Sequence, residues 1–211
     1  MKEILEIFKA MEPSKERIKR LQEGVVKKPY DVSVLEGIYT QKGIARAFND
    51  MQLLTMKTDE PKHFMDYEGN VIEREFDCEE MFKFIDELGF EPDIKVTVKN
   101  WDFIEVLREA DARKLLTFYM SCNDELDKLI FYTILGGEKN IIAERELRGL
   151  PISEKFDDVL IHNYRNLYEI FIQHGGRVVS IYVDSQRNLI KFYNGKVELL
   201  MGCNSKNFDL V

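Results

Sequence analysis

Residues 100–137 read NWDFIEVLREADARKLLTFYMSCNDELDKLIFYTILGG, the longest apolar-periodic run in the chain. Trp101, Ile104, Leu107, Leu115, Phe118 and Tyr119 recur at three- and four-residue steps, and Phe103, Val106 and Ala110 widen the stripe. A stripe this wide suits a helix with core on more than one side. Asn100 or Asp102 is placed to cap its start, with Glu105 three residues after Asp102 as in a capping box. Ser121-Cys122-Asn123-Asp124 interrupts the run. Ser121 or Asn123 would then cap a second helix carrying Leu126, Leu129, Ile130, Phe131, Ile134 and Leu135, stopped by Gly136-Gly137. The spacing predicts a helical hairpin with aromatic faces at the centre of the fold. It is a scaffold and not a catalytic signature, with a hydrophobic ligand pocket as the alternative use of those faces.

On the N-terminal side, residues 93–99 (DIKVTVK) alternate Ile94, Val96 and Val98 against Lys95, Thr97 and Lys99, the pattern of a strand with one wet face. Before it, Asp77 and Glu80 mark the start of a helix with Met81, Phe82, Phe84, Ile85 and Leu88 inward and Gly89 at its end. Residues 63–76 (HFMDYEGNVIEREF) change period around Gly69-Asn70, a hairpin turn signal. Residues 33–57 place Leu35, Ile38, Tyr39, Ile44, Ala45, Phe48, Met51 and Leu54 at helical steps, weakened by Gly37 and Gly43. The tail of that run, Met51-Leu53-Leu54-Met56, reads as core or as an adaptable interface. Pro29-Tyr30-Asp31 is a turn. Residues 2–11 form an amphipathic helix, and Ser14 caps a second one over 15–23.

On the C-terminal side, residues 140–147 and 153–174 are expected as helices, the second carrying Phe156, Leu160, Ile161, Tyr164, Leu167, Tyr168 and Phe171. VVSIYVD, LIKFY and KVELLMG follow as three antiparallel strands, with Asn194-Gly195 the strongest two-residue hairpin signal. The expected fold is α+β. A helical layer over about 101–174 packs on small antiparallel sheets from about 63–99 and 177–202. No Pro-, Ser- or Gly-rich linker divides the chain, so residues 1–211 read as one unit, with 1–100 and 101–211 the only sensible split.

Composition is that of an ordinary soluble globular protein, and 14 Phe and 9 Tyr are enough for a sizeable core. Charges interrupt the first residues too often for a signal peptide, and no apolar window is long enough for a membrane span. Three widely spaced cysteines, Cys78, Cys122 and Cys203, fit a reduced, cytoplasmic setting or an intracellularly assembled particle. The net charge of −8 is uneven: residues 59–93 hold 13 acidic and 3 basic residues, so the remaining 176 residues carry +2. Residues 1–28 carry 8 basic and 5 acidic residues. That distribution argues against a wholly basic nucleic-acid binder, and direct nucleic-acid binding is not expected. It suggests that Lys15, Arg17, Lys19 and Arg20 dock on Asp66, Glu68, Glu73 and Glu75 of a neighbour, a copy of the same protein being one candidate.

The usual catalytic parts are missing. Gly136-Gly137-Glu138-Lys139 lacks the spacing of a phosphate loop, and there is no GxGxxG or GxSxG. Asp158 and His162, four apart on the expected helix, are the nearest approach to a metal pair, with no third ligand in view. Cys122 sits beside Asp124 and Glu125, which would raise its thiol pKa. Lys191-Phe192-Tyr193, with Arg187, Lys196 and Tyr182 nearby, could form a small nucleic-acid surface, although strand lysines more often guard edges. No catalytic residue, metal or cofactor is therefore assigned. The sequence points to a non-enzymatic protein–protein interaction or assembly subunit, a homo- or hetero-oligomer without membrane partners. A virus- or phage-type structural or accessory component is one concrete form. An acidic inhibitor or immunity-type protein facing a basic, nucleic-acid-handling partner is the first alternative. A metal-dependent enzyme using the 66–80 carboxylates or Asp158 and His162 is the second.

Overall fold

The computed structural model describes residues 1–23, 35–49, 51–73, 83, 87, 89–147, 156, 159–162, 164–173 and 176–203. The chain divides into two units, Met1–Phe90 and Glu91–Val211. In the first, α1 (Lys2–Phe8) runs into a 3-10 turn (Lys9–Met11) and buries Ile4, Ile7, Phe8 and Met11, as its periodicity predicts. Ser14 Oγ accepts the Arg17 N–H at 3.2 Å and starts α2 (Lys15–Gln22), again as predicted. None of the residues of α2 is buried.

The helix expected over 33–57 is instead three strands, β1 (Gly37–Gln41), β2 (Ile44–Phe48) and β3 (Gln52–Lys57). They lie antiparallel with β4 (His63–Asp66) in the order β4-β1-β2-β3. Lys42 (φ 51°) and Gly43 (φ 77°) form the two-residue turn between Gln41 and Ile44. Positive φ at both positions matches the strand twist, so Gly43 is a hairpin residue and not a helix defect. Gly37 has a different cause: a Cβ there would come within 2.1 Å of the Met65 carbonyl oxygen on β4. Leu53, Leu54 and Met56 are buried as core, while Met51 is exposed. Of the expected 63–76 hairpin, residues 63–73 are described and show a bridge between Met65 and Val71, while β4 pairs with β1. The helix expected at 77–88 and the turn at 29–31 lie outside the described residues or largely so.

The second unit contains β5 (Ile94–Lys99), α3 (Asn100–Ala112), β6 (Thr117–Cys122), β7 (Lys128–Leu135) and β8 (Glu138–Glu146). These are followed by β9 (Val159–His162), α4 (Tyr164–Gln173), β10 (Val178–Asp184), β11 (Leu189–Tyr193) and β12 (Val197–Gly202). The order is strand, helix and three strands, repeated once. The repeats interlock: β5 of the first pairs with β10 of the second, and β9 of the second pairs with β6 of the first. Two antiparallel arrays result, β8-β7-β6-β9 and β12-β11-β10-β5, and α3 packs on α4.

The predicted helical hairpin is thus half correct. Its first arm is α3, but its second arm and its own C-terminal third are the β6–β7 hairpin. Lys114, at φ 54°, ends α3, and Leu116 turns out to solvent at 85 % exposure. Asn123 does not cap a helix: its side-chain oxygen accepts the Asp127 and Lys128 N–H groups at 3.1 and 2.9 Å and holds the β6–β7 turn. The two roles use the same chemistry, an Asn oxygen receiving nearby backbone donors. Residues 140–147 and 153–174 need the same correction. The first belongs to β8, and the second holds β9 before α4 begins. The α+β class stands, with the 101–174 span supplying two helices and four strands.

Phe103 on α3 shows what the repeats share. It lies 6.2 Å from Phe131 on β7, 6.1 Å from Phe171 on α4 and 5.5 Å from Phe192 on β11, ring centre to ring centre. All four rings are fully buried. One aromatic cluster therefore joins both arrays and one residue from each helix. Trp101, expected on the inner stripe, is 62 % exposed. Among the described residues no helix is long and apolar enough to cross a membrane.

Candidate interaction surfaces

The acidic and basic residues singled out in the sequence fall on the first unit. Asp66 ends β4 and organises its own turn. Its carboxylate accepts the Glu68 and Asn70 N–H groups at 2.9 and 2.8 Å and the Asn70 side-chain amide at 2.8 Å. Desolvation pulls this carboxyl upward, but the bonds from Asn70, Glu68 and Gly69 outweigh it and hold it below the usual Asp range. Asp66 is committed to structure. Glu68, in the same turn, and Glu73 are exposed, and Glu75 lies outside the described residues. Asp66 and Glu68 also act at a distance on Lys9. The Lys9 pKa is raised, first by its hydrogen bond to Glu12 and then, after a smaller opposing desolvation, by the charges of Glu12, Glu68 and Asp66. Lys15, Lys19 and Arg20 are exposed on α2, and Arg17 is half-buried there. Arg20 pairs with Glu16 at 2.5 Å and Lys19 with Glu23 at 3.7 Å. Such exposed i,i+4 pairs contribute about 0.3–0.5 kcal/mol each and leave the helix with its basic face in water.

A second surface escaped the sequence reading because residues 140–147 were expected to be helical. Among the described residues β8 is an outer strand of its array, joined to β7 alone. Its register shifts between Phe131 and Tyr132, leaving Ile142 as the extra residue of a bulge. The hairpin end beside it presents Ile134, Leu135 and Ile141 at 47, 58 and 51 % exposure. Gly136 and Gly137, both at positive φ, make that tip. The β6–β7 register, continued, brings exposed Leu116 to the same end. Arg113, which follows α3, donates to the Ile141 carbonyl at 3.3 Å. An unpaired strand edge with exposed apolar residues is a recognised docking feature.

At the other end of β8, a groove of about 590 Å³ is lined by Lys99, Asp102, Glu105, Glu144, Arg145, Glu146 and Leu147. Arg145 crosses it, donating to the Asp102 carbonyl at 3.2 Å and pairing with Glu105 at 3.5 Å. Its lining is charged, unlike the apolar lining of most small-molecule pockets.

Among the described residues, both cysteines are buried and His63 bridges two strands. Cys122 is buried, and its sulfur donates to the Phe156 carbonyl at 3.4 Å and accepts the Phe156 N–H at 3.2 Å. Burial, then the charges of Asp184 and Asp93, push the Cys203 thiol up to about 12, so it stays protonated at neutral pH. His162 lies on β9 and not on the expected helix, and Asp158 is outside the described residues. His63 hydrogen-bonds to Thr40 Oγ1 at 2.9 Å between β4 and β1. Among the described residues no three His, Cys, Asp or Glu side chains converge as a metal site.

No protein-family model matches the chain, and no curated protein matches its sequence. Solved structures do match in three dimensions. The DNA polymerase sliding clamp of Caulobacter crescentus aligns with TM-score 0.63 at 10 % identity, covering 97 % of this chain and 64 % of the clamp. The Helicobacter pylori beta clamp bound to a DNA ligase peptide gives TM-score 0.63 at 12 % identity, covering 96 and 63 %. DNA polymerase III subunit beta of Borrelia burgdorferi gives 0.62 at 14 %, covering 92 and 62 %. The chain is similar in fold to sliding clamps. It spans less than two thirds of the length of each of these clamps, and at such identities the likeness is one of fold alone.

Proposed function

We propose that this protein is a non-enzymatic, clamp-like assembly subunit. It associates with copies of itself and docks segments of DNA-handling proteins. The observation that carries this reading is the interlocked repeat of β5–β12, which aligns with sliding clamps, combined with the outer strand β8 and its exposed apolar end. One such clamp holds a DNA ligase peptide. Antiparallel pairing along β8 would add a strand from a neighbour and cover Leu116, Ile134, Leu135 and Ile141. β8 does not suit pairing with itself. An antiparallel self-match about Ile142 sets Glu138 against Glu146 and Lys139 against Arg145, like charges facing like. A head-to-tail contact is therefore favoured, and such contacts close into rings or extend as filaments. Attraction between Lys15, Arg17, Lys19 and Arg20 of one copy and Glu68 and Glu73 of the next would add orientation and salt sensitivity.

Native mass by light scattering, measured at low and moderate salt, tests the reading. The expected result is a defined oligomer. Leu135→Asp with Ile141→Lys should dissociate it while leaving the circular dichroism spectrum intact. A salt-indifferent monomer at every concentration would remove this proposal. Asp66 should be left untouched in such tests, because its loss damages the turn whatever its neighbours do.

A further inference from the structure

We propose that the outward face of the β12-β11-β10-β5 array is a binding platform for single-stranded nucleic acid, centred on Tyr182. The register puts Lys95 of β5 and Lys191 of β11 directly across from Tyr182 of β10. Both ammonium groups sit over its ring, at 5.3 and 5.5 Å from the centroid. The alternating burial of these strands sends Ile181 and Phe192 into the core and leaves Tyr182 on the solvent side. One pleat along, Tyr193 of β11 lies diagonally from Tyr182, opposite Ser180. Its hydroxyl donates to the Gly195 carbonyl at 2.9 Å, which fixes the edge of that ring. Lys99 continues the lysine row of β5.

Two tyrosines on adjacent inner strands, Tyr182 between two lysines and Tyr193 between Ser180 and Glu198, form the kind of arrangement by which antiparallel sheets hold unpaired bases: rings stack the bases and lysines track the phosphates. Diagonal neighbours lie roughly 7–8 Å apart, which suits two successive splayed bases and not a stacked duplex. The contact of exposed Lys95 with the ring is weak and that of half-buried Lys191 is modest, so a phosphate can draw an ammonium aside and open the ring to a base. Lys191 also pairs with Glu198 at 3.4 Å, a local charge that steadies the lysine between ring and carboxylate. The net charge of −8 works against binding of any polyanion and keeps the interaction modest and salt-sensitive. Lys99 is shared with the charged groove at the end of β8.

The test is fluorescence anisotropy of the full-length protein with a fluorescein-labelled oligothymidylate of about 15 nucleotides, a length at the upper end of single-site footprints. Binding is expected at low salt, falling with a log–log slope of about −2 if three lysines contact phosphates. Tyr182→Ala should weaken it about tenfold and Tyr182→Phe should not. Lys95→Gln and Lys191→Gln should each reduce the slope by about 0.7. A duplex and an abasic strand of the same length should bind more weakly. No binding at low salt would overturn the proposal. So would equal binding of the abasic strand or duplex, or an affinity indifferent to Tyr182→Ala in a variant of unchanged melting temperature.

Discussion

The two repeats of Glu91–Val211 share an interior and differ on their outer faces. Phe131 on β7 and Phe192 on β11 occupy the same place in their arrays, and both rest on Phe103. Outside, the first array is closed over Tyr132. Tyr119 stacks on Tyr132 at 5.4 Å, Lys139 covers Tyr132 at 3.8 Å, and Tyr132 is left only 1 % exposed. The second array leaves Tyr182 half-open between Lys95 and Lys191. A repeated fold tolerates this divergence because core volume is constrained by every neighbour, whereas an outward residue is constrained only by what it must bind or repel.

Substitutions can break or sharpen that comparison. The largest effect belongs to the shared interior. Phe103→Ala should cost about 3–5 kcal/mol in urea denaturation, since it leaves a cavity facing three other rings. A loss under about 1 kcal/mol would mean that the two arrays do not depend on one core. Next come the outer faces. Tyr132→Ala should cost about 2–4 kcal/mol as a buried aromatic truncation, and Tyr182→Ala less than about 1 kcal/mol as a half-exposed one. Equal losses would erase the distinction between closed and open faces.

Asp184 tests the joint between the repeats. This buried carboxylate accepts the Glu91 N–H at 2.9 Å, the Arg187 N–H at 2.9 Å and the Arg187 guanidinium at 3.1 Å. Asp184→Ala should cost about 2 kcal/mol by leaving three part-buried donors unmatched. Desolvation pushes the Asp184 carboxyl up, but the bonds from Glu91 and Arg187 prevail and hold it below the usual range. A group whose folded pKa is depressed contributes stability above its unfolded pKa of about 3.9 and loses it as pH falls through the folded value. Acid titration of the melting temperature should therefore show a decline below about pH 4, smaller in Asp184→Asn. The smallest effect expected is at the α2 cap, where Ser14→Ala should cost about 1 kcal/mol or less, read from urea denaturation.

What could be read directly from the sequence was local. Ser14 caps α2, β5 alternates, and Asn194-Gly195 turns β11 toward β12, with Gly195 at φ 93°. Of the basic and acidic candidates, Lys15, Lys19, Arg20, Glu68 and Glu73 are exposed, Arg17 is half-buried and Asp66 is spent on its turn. The errors cluster where apolar residues are dense. In 33–57 and 115–135, helical and strand spacings fit the same residues, and the arbitrating signals were small: Lys42-Gly43, Gly37 against Met65, and Asn123 in a turn. The groove and outer edge of β8 could not be found once 140–147 had been read as helix.

By itself the sequence determined composition, charge placement, caps and turns, because these depend on residues a few positions apart. Only the tertiary structure decided which apolar runs became strands, since a strand is stabilised by a partner distant in sequence. The exchange of β5 and β9 between repeats is the extreme case: Val96 finds Ile181 and Phe118 finds Ile161, pairings that no local window contains. The surfaces follow from that exchange. Tyr182 gains two lysines from two other strands, and β8 is left at an edge, because of where the partners lie.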